Sequence, residues 1–477
     1  MARVGKSVIQ SSLANFGSLA ISLALVVVVS RILPPDVIGA YVMAFAVLML
    51  IEPLRDLQLK SYLLMQDRID AEVLGPARFV ALANTLAAVV ACLLLALVLR
   101  SAYDSPAVGN CLAIMGLGLL ARPWAQTAEA VLAKAYRYGA IAQVKLGAVL
   151  LKVAVTLGLI ARGYGAEALA WGAFAEFACE LASLGMIGRD LRFVMPSRRG
   201  SAEVFRFCSQ FGGAQLFGGL GGTIEPLMIG TFQGLAWTAF FNRANRLVRT
   251  LRSGIEQAIH PIVLTGFAGA NGDRVAMRRD YLRTIALMTG VVWPALACFA
   301  VLADPVILGL FGPQWGKSIL LGQILALGGI VHAATALSQQ LHAAAGEARL
   351  VFRREAGLTL LRFVILGLTV TISTTAVALG LLAMLVVSFF VNQHLLQRSF
   401  GMTYGAFARA VWKSAAAALL VALAAHLALG ALSGGMSRLA MLGALVPVAG
   451  VVWLAALALL RHPLLHEMRQ LVARHPS

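Results

Sequence analysis

Residues 13–33 read LANFGSLAISLALVVVVSRIL, an apolar run in which Arg31 is the single charged residue. A helix needs about 20 mostly apolar residues to cross the hydrocarbon core of a bilayer, and this run supplies them. It is too long for the core of a signal peptide, and no small-residue cleavage site interrupts it. We therefore predict an uncleaved first membrane helix.

The composition of the whole chain agrees with a membrane location. Of the 477 residues, 60% are hydrophobic and 13% are charged, whereas soluble proteins carry roughly 25% charged residues. The mean hydropathy is +0.84. These values exclude a soluble enzyme, a secreted disulfide scaffold and a disordered chain. The five cysteines lie singly in apolar stretches, which predicts small buried hydrophobes rather than a metal or redox site.

Fourteen apolar segments are predicted to span the membrane, and no metal or nucleotide motif accompanies them. The segments lie near residues 10–32, 37–59, 77–99, 107–132, 141–161, 166–188, 207–231, 236–258, 283–303, 317–342, 357–376, 377–397, 411–431 and 438–460. The divide near Ser373 is weak, because only that serine and the next two threonines interrupt the apolar run; thirteen spans is the alternative. The connections average about a dozen residues. They leave no room for a nucleotide-binding domain, and the chain contains no G-x-x-x-x-G-K-[ST] loop.

The basic residues predict the orientation of these spans. The chain has 39 Lys and Arg against 21 Asp and Glu, a net charge of +18. With the N-terminus inside, basic residues on cytoplasmic flanks outnumber those on outer flanks by about five to one. Both termini are therefore predicted to be cytoplasmic, and this bias explains much of the charge without nucleic acid as a partner.

A short internal repeat predicts the organisation of the chain. Asn15-Phe16-Gly17 opens the first span, and Gln210-Phe211-Gly212 opens the seventh. Together with the number of spans, the repeat predicts an all-α integral membrane protein with two pseudo-symmetric six-helix lobes. The predicted parts are an N-lobe (1–188), a cytoplasmic linker (189–206), a C-lobe (207–397), and residues 398–477 with the last two spans and a cytoplasmic tail.

Four motifs in the same order resemble those of bacterial polysaccharide flippases. They are SRILPPDVIGAY (30–41) in the first loop, KAYRY (134–138) with Gln143-Val144 between the fourth and fifth helices, AFFNRANRL (239–247) opening the eighth helix, and LGLFGPQW (308–315) in the ninth-to-tenth loop. The chain thus resembles the Wzx-type polysaccharide transporters, a branch of the multidrug/oligosaccharidyl-lipid/polysaccharide exporter superfamily.

This resemblance implies a V-shaped, two-lobed carrier without enzymatic activity. Such a carrier flips undecaprenyl-pyrophosphate-linked oligosaccharide across the bacterial inner membrane by alternating access, for exopolysaccharide or O-antigen lipopolysaccharide synthesis. The implied partners are that lipid-linked oligosaccharide, membrane lipids, a polysaccharide polymerase and glycosyltransferases. Family members often carry Asp late in the seventh helix, where this chain has Glu225. A lipid II flippase, a multidrug cation antiporter of the same superfamily, and a non-transporting scaffold or polymerase remain alternatives.

Basic residues inside the spans are the candidate substrate site. A charge at mid-membrane costs roughly 2.5–3.5 kcal/mol, so it persists only beside a partner or a wet cavity. Arg122 in the fourth span and Arg243 and Arg246 in the eighth carry planar guanidinium groups suited to phosphate, and we predict that they attract the pyrophosphate. The alternative is that these arginines serve ion pairing, topology and helix packing. Arg55 and Lys60 are weaker candidates, because basic side chains commonly snorkel to the interface.

Acidic and amide side chains complete the predicted site. Glu176 and Glu180 share one face of the sixth span, and like charges so placed suit coupling to H⁺ or Na⁺. Apart from this coupling ion, the sequence predicts no cofactor. Glu129, two turns beyond Arg122, and Glu225 are further coupling candidates. The alternative for Glu176 and Glu180 is pairing with lysines of the fifth span, Lys145 and Lys152. The predicted substrate-binding set also includes Asn242 and Gln339; Gln339, like Gln340, Asn392 and His394, can bond sugar hydroxyls or pack between helices.

Overall fold

The computed structural model describes residues 2–56, 58–103, 105–187, 194–269, 273–432 and 436–467. Within these ranges all regular structure is helical, which confirms the all-α part of the predicted fold class. The α-helices are α1 (Ala2–Ile32), α2 (Pro35–Asp56), α3 (Leu59–Met65), α4 (Ala71–Ala102), α5 (Ala107–Gly118), α6 (Arg122–Lys134), α7 (Tyr138–Ile160), α8 (Ala166–Ile187), α9 (Ser201–Phe232), α10 (Leu235–Gly269), α11 (Arg274–Val301), α12 (Ala303–Phe311), α13 (Ser318–Ala333), α14 (Ser338–Ala344), α15 (Ala348–Val370), α16 (Thr374–Phe400), α17 (Tyr404–Leu432) and α18 (Arg438–Leu459).

Many of these helices are long and apolar enough to cross a membrane, so the chain is a multi-pass membrane protein. Among the residues that the structure describes, nine segments meet both requirements of length and composition. They are Pro35–Met65, Ala71–Ala102, Ala107–Lys134, Tyr138–Ile160, Arg274–Val301, Ser318–Ala344, Thr374–Phe400, Tyr404–Leu432 and Arg438–Leu459. The first predicted span falls in α1, whose apolar part is the shorter stretch Phe16–Ile32. The count of fourteen crossings and the cytoplasmic placement of both termini stay predictions.

The weak divide near residue 373 is a true break between two helices. Helix α15 ends at Val370 and α16 begins at Thr374. Ser373 has an extended backbone, and its side-chain oxygen accepts a hydrogen bond from the backbone N–H of Ala376. Such an N-cap satisfies a donor that the start of a helix otherwise leaves unpaired. The serine and threonine residues of this interruption therefore end one helix and start the next.

Contacts divide the chain into two compact units, Met1–Ala239 and Phe240–Ser477, called unit 1 and unit 2 below. The predicted lobes, with boundaries at 188 and 207, stay predictions. Residues 189–193 of the predicted linker and 468–477 of the predicted tail lie outside the described residues, as do the side chains of Asn15 and of the predicted repeat motif at 210–212.

In unit 1, helix α2 packs against α4, α5, α8 and α9. Its buried residues Met43 and Leu48 share a core with Cys92, Leu112 and Met115 from α4 and α5. Helix α1 packs against α7, and α7 packs against α8. A Cβ atom on Gly39, near the start of α2, would lie 1.9 Å from the carbonyl oxygen of Leu235, so only glycine permits this close approach.

In unit 2, helix α11 packs against α13 and α17, and α17 packs against α18. The side chain of Thr289 on α11 donates to the hydroxyl oxygen of Ser414 on α17 at 2.9 Å. Trp453 on α18 donates through its indole N–H to the carbonyl oxygen of Gly290 at 2.9 Å. The last two long helices are therefore integral to the packing of unit 2.

The two units share one local structure, a connector with the same hydrogen bonds. In unit 1 it follows α6, where Tyr136 has a left-handed φ of 56° and the N–H of Arg137 donates to the carbonyl oxygen of Leu132. In unit 2 it follows α14, where Gly346 has a φ of 77° and the N–H of Glu347 donates to the carbonyl oxygen of His342. Each connector leads into a 23-residue helix, α7 or α15.

Candidate functional site

A break in the fourth predicted span positions Arg122. Helix α5 ends at Gly118, a 3₁₀ turn covers Leu119–Ala121, and α6 starts at Arg122. The next residue is Pro123, which lacks a backbone N–H and is well tolerated in the first turn of a helix. Discontinuous membrane helices commonly form binding sites in transporters. Arg122 therefore occupies the restart of a broken helix rather than the middle of a continuous one.

Arg122 binds carboxylates of two other helices. One of its terminal nitrogens lies 3.0 Å from an oxygen of Glu180 on α8, and the other lies 3.5 Å from Glu52 on α2. The guanidinium also lies 5.2 Å from the ring centre of Phe177. The side chain is 25% exposed, so the ion pairs hold the group without burying it completely.

Arg55 is held more tightly than Arg122. It donates to both carboxylate oxygens of Glu52, at 3.1 and 2.7 Å, and to the amide oxygen of Gln126 at 3.1 Å. Gln126 in turn donates to Asp56 at 3.0 Å. The Arg55 side chain is fully buried. A bidentate ion pair of this kind fixes the geometry of both side chains, which favours a structural role for Arg55.

Glu129 binds two lysines from different helices. The ammonium nitrogens of Lys60 on α3 and Lys145 on α7 lie 2.8 and 3.0 Å from the same oxygen, Oε1 of Glu129. Lys60 reaches α6 because the chain turns at Gln58, whose backbone is left-handed with φ 58° before α3 begins. The two lysine side chains retain 42% and 45% of their exposure.

The remaining acids predicted to couple ions lie on helices α8 and α9. Glu176 on α8 lies 2.8 Å from Lys152 on α7, which is the pairing that the alternative interpretation predicts. Glu180 binds Arg122 rather than a lysine of α7. Glu225 is buried in α9 directly before Pro226. The role of these acids in ion coupling stays a prediction.

These contacts form three neighbouring groups, which we together call the unit 1 network: one around Glu52, Arg122 and Gln126, one around Glu129, and the Lys152–Glu176 pair. The network is electrically balanced, with five carboxylates and five basic groups on α2, α3, α6, α7 and α8. The members are Glu52, Arg55, Asp56, Lys60, Arg122, Gln126, Glu129, Lys145, Lys152, Glu176 and Glu180. The sequence prediction missed Glu52, Asp56 and Gln126, although an acid inside an apolar span is a usable signal for Glu52.

In unit 2, Arg243 lies against aromatic rings. Its guanidinium is 5.5 Å from the ring centre of Trp315 and 6.0 Å from that of Phe311, and the residue is 6% exposed. Phe240 contacts Trp315 edge to face at 5.7 Å, and its carbonyl oxygen accepts from Ser318 at 3.0 Å. The motifs at 239–247 and 308–315 therefore pack on each other, which favours the packing interpretation of Arg243.

The other predicted residues of unit 2 are more accessible. Arg246 is exposed on α10, Asn242 is half-buried beside Arg243, and Gln339 is exposed on α14. The sequence prediction did not include Arg354 on α15, whose guanidinium donates to Asn392 on α16 at 2.7 Å. Residues 353 and 354 are both arginines, and their sequence gave no signal that the side chain of one of them is 6% exposed.

Comparison with known proteins gives a family and a fold. Residues 28–320, more than half of the chain, match the sequence model of a family described as polysaccharide biosynthesis protein. The chain is 24% identical over 330 residues to the succinoglycan biosynthesis transport protein ExoT of Rhizobium meliloti (strain 1021), covering 68% of this chain and 66% of that protein. It is 24% identical over 216 residues to the teichuronic acid biosynthesis protein TuaB of Bacillus subtilis (strain 168), covering 45% of each. The aligned parts thus span less than two thirds of either relative.

Solved structures with the same fold include flippases and drug transporters. The lipid II flippase MurJ in an inward closed conformation superposes with a TM-score of 0.76 at 9% identity, covering 94% of this chain and 98% of that one. An inward-facing multidrug resistance transporter of the MATE family gives 0.61 at 17% identity, covering 80% and 94%. At these identities the similarity shows the fold alone. This fold agrees with the superfamily that the sequence motifs indicate.

Proposed function

The chain belongs to the polysaccharide biosynthesis protein family, and from this premise we propose that it is a flippase for lipid-linked oligosaccharide. The proposed cargo is an undecaprenyl-pyrophosphate-linked repeat unit, which crosses the bacterial inner membrane by alternating access during exopolysaccharide or O-antigen synthesis. A relative named for succinoglycan transport and a fold shared with a lipid II flippase support the proposal.

One observation carries the proposal, the unit 1 network within otherwise apolar helices. Desolvated charges are expensive in a membrane protein and mark substrate or ion pathways. In this network Lys60 and Lys145 remain nearly half exposed, and Arg122 a quarter exposed. Partly accessible cations of this kind suit the pyrophosphate of a lipid carrier.

The same network supplies groups for energy coupling. Glu180 balances Arg122, and Glu176 balances Lys152. If substrate phosphate takes the place of a carboxylate on a basic group, the released carboxylate becomes free to bind H⁺ or Na⁺. We propose an ion gradient or the membrane potential as the driving force of the return step.

The test is the phenotype of variants in cells that depend on this protein. We expect deletion to accumulate lipid-linked repeat units on the inner leaflet and to abolish surface polysaccharide. Arg122→Ala at equal protein level is expected to reduce surface polysaccharide at least tenfold, because a charge-assisted contact to phosphate is lost. Arg162→Gln, an exposed arginine in the turn after α7, is the matched control. Undiminished polysaccharide with Arg122→Ala would remove this residue from the mechanism.

Lipid II is the alternative cargo, because MurJ has the same fold. Complementation separates the two proposals. A flippase for polysaccharide repeat units restores surface polysaccharide in its own deletion strain and does not rescue a strain that lacks its lipid II flippase. Rescue of that strain would assign lipid II as cargo instead. Extrusion of cationic drugs, measured in the same strains, tests the antiporter alternative.

A further inference from the structure

Two accessible lysines share one acceptor atom in unit 1. The ammonium groups of Lys60 and Lys145 both lie within 3.0 Å of Oε1 of Glu129. The lysines retain 42% and 45% of their exposure, whereas Glu129 retains 17%. The carboxylate thus lies deeper than the two cations that it joins.

This geometry is a ready-made site for an anionic oxygen. Two ammonium groups converge on a point where a single negatively charged oxygen accepts from both at charge-assisted distances. A phosphate oxygen has the same charge and accepts the same donors, and a pyrophosphate offers several such oxygens. Lysine is a flexible point charge with three donors, so it can exchange one acceptor for another.

The other cations of the unit 1 network are less suited to such exchange. Arg55 is fully buried, and it forms a bidentate ion pair with Glu52 and a hydrogen bond to Gln126. Arg122 is held between carboxylates of α2 and α8. Removing a carboxylate from either arginine would leave unpaired a side chain that is 0% or 25% exposed, whereas removing Glu129 frees two lysines that are already 42% and 45% exposed.

We propose that Glu129 is an internal counter-ion that occupies a pyrophosphate subsite formed by Lys60 and Lys145 and is displaced when substrate binds. This rests on the proposed function, and it adds Lys145 as a substrate ligand and assigns Glu129 a competing role. In the empty site the carboxylate relieves the repulsion between the two ammonium groups. Substrate must displace this carboxylate. The apparent affinity for substrate is therefore the intrinsic affinity multiplied by the fraction of sites that Glu129 leaves open.

The competition weakens the binding of every anion by the same factor, because each ligand needs the subsite open. A pyrophosphate brings more charge and more acceptors to the two lysines than a single phosphate, so it displaces the tethered carboxylate at a lower concentration. Removing the carboxylate is therefore expected to raise the affinities for phosphate and pyrophosphate by similar factors.

The experiment measures ligand binding to the full-length protein in nanodiscs of zwitterionic lipid by calorimetry. The probes are inorganic pyrophosphate, inorganic phosphate and farnesyl pyrophosphate. We expect Glu129→Gln to tighten pyrophosphate binding by about threefold to tenfold, and Lys145→Gln to weaken it by about tenfold or more. Similar changes with both pyrophosphates assign recognition to the phosphates, whereas changes seen with farnesyl pyrophosphate alone assign it to a headgroup held by its lipid tail.

Matched variants keep the test decisive. Arg162→Gln removes a positive charge beyond the other end of α7, and it is expected to leave binding unchanged. In the double variant Glu129→Gln/Lys145→Gln the gain should vanish, because the subsite itself is lost. Lys145→Arg keeps the charge and is expected to retain binding. This variant tests the role of the charge when Lys145→Gln lowers the yield of folded protein.

Two results would overturn the proposal. One is unchanged pyrophosphate affinity in folded Glu129→Gln, and the other is wild-type affinity when Lys145 is replaced by glutamine. Both can occur while deletion of the protein still abolishes surface polysaccharide. In that event the flippase function stands and this subsite falls, whereas normal polysaccharide in the deletion strain would reject the function itself.

Discussion

His462 joins helices α11 and α17 of unit 2 through one buried ring. The backbone N–H of Leu464 donates to its Nδ1 at 3.1 Å. In the neutral ring Nε2 then carries the proton, and it lies 3.1 Å from the hydroxyl oxygen of Ser414 on α17. The ring also covers Gly290 of α11, where a Cβ atom would lie 2.6 Å from it. The neutral ring therefore fits its surroundings.

This setting predicts an acid-sensitive unit 2. Burial, assisted by the charge of Lys413, lowers the pKa of His462 from 6.5 to about 4. Between these values the unfolded chain binds a proton that the folded chain does not, so stability is complete above pH 6.5 and falls as the pH drops toward 4. We expect the thermal unfolding temperature in detergent to decrease over this range. His462→Gln, which cannot titrate, should flatten this part of the profile; an equal decrease in that variant would contradict the assignment.

The connector shared by the two units gives a prediction at the scale of the element. Its central residue needs a left-handed backbone, which Gly346 adopts without strain in unit 2 and Tyr136 adopts in unit 1. Gly346→Ala is expected to lower the free energy of unfolding by about 1–2 kcal/mol, because the new Cβ crowds the following carbonyl oxygen. Gly346→Asn should cost less, since asparagine tolerates this conformation. Equal thermal stability of wild type and the alanine variant would show that the connector does not constrain the fold.

The helices themselves follow from patterns that the sequence contains. Apolar runs of sufficient length predicted the helical fold, and the serine and threonine interruption at 373 predicted the one uncertain boundary, since Ser373 is an N-cap. The broken helix before Arg122 was harder to foresee. Pro123 signalled a disturbance, but it did not say whether the helix would kink or restart after a 3₁₀ turn.

The partners of the charged residues were not available from sequence. The sequence offered Lys145 and Lys152 together as partners of Glu176 and Glu180, but it did not show that Lys145 would bind Glu129 and Lys152 would bind Glu176. Those distances depend on how α6, α7 and α8 rotate against each other. For Arg243 the contacting ring of Trp315 comes from a motif more than seventy positions later, and no local period links the two.

At the scale of the whole molecule, the last two helices complete unit 2. Helix α17 packs along α11, and α18 contacts both of them. The contact includes buried hydrogen bonds between the two helices, from Thr289 to Ser414 and from Ser414 to the carbonyl oxygen of Ala286. A hydrogen bond of this kind contributes about 0.5–1.5 kcal/mol. Residues beyond 401 therefore act as part of the unit rather than as an added pair.

A truncation tests this dependence. We expect a chain of residues 1–401 to accumulate poorly in membranes and to unfold at a lower temperature than the full chain, because α11 loses the apolar and polar partners that α17 provides. Co-expression of residues 402–477 should restore part of the yield by supplying the missing face in trans. Ser414→Val in the full chain is the milder comparison, expected to cost about 1–3 kcal/mol because the buried ring of His462 loses its hydroxyl partner. A truncated protein as stable as the full chain would mean that α11 and its neighbours form a complete unit without the terminal helices.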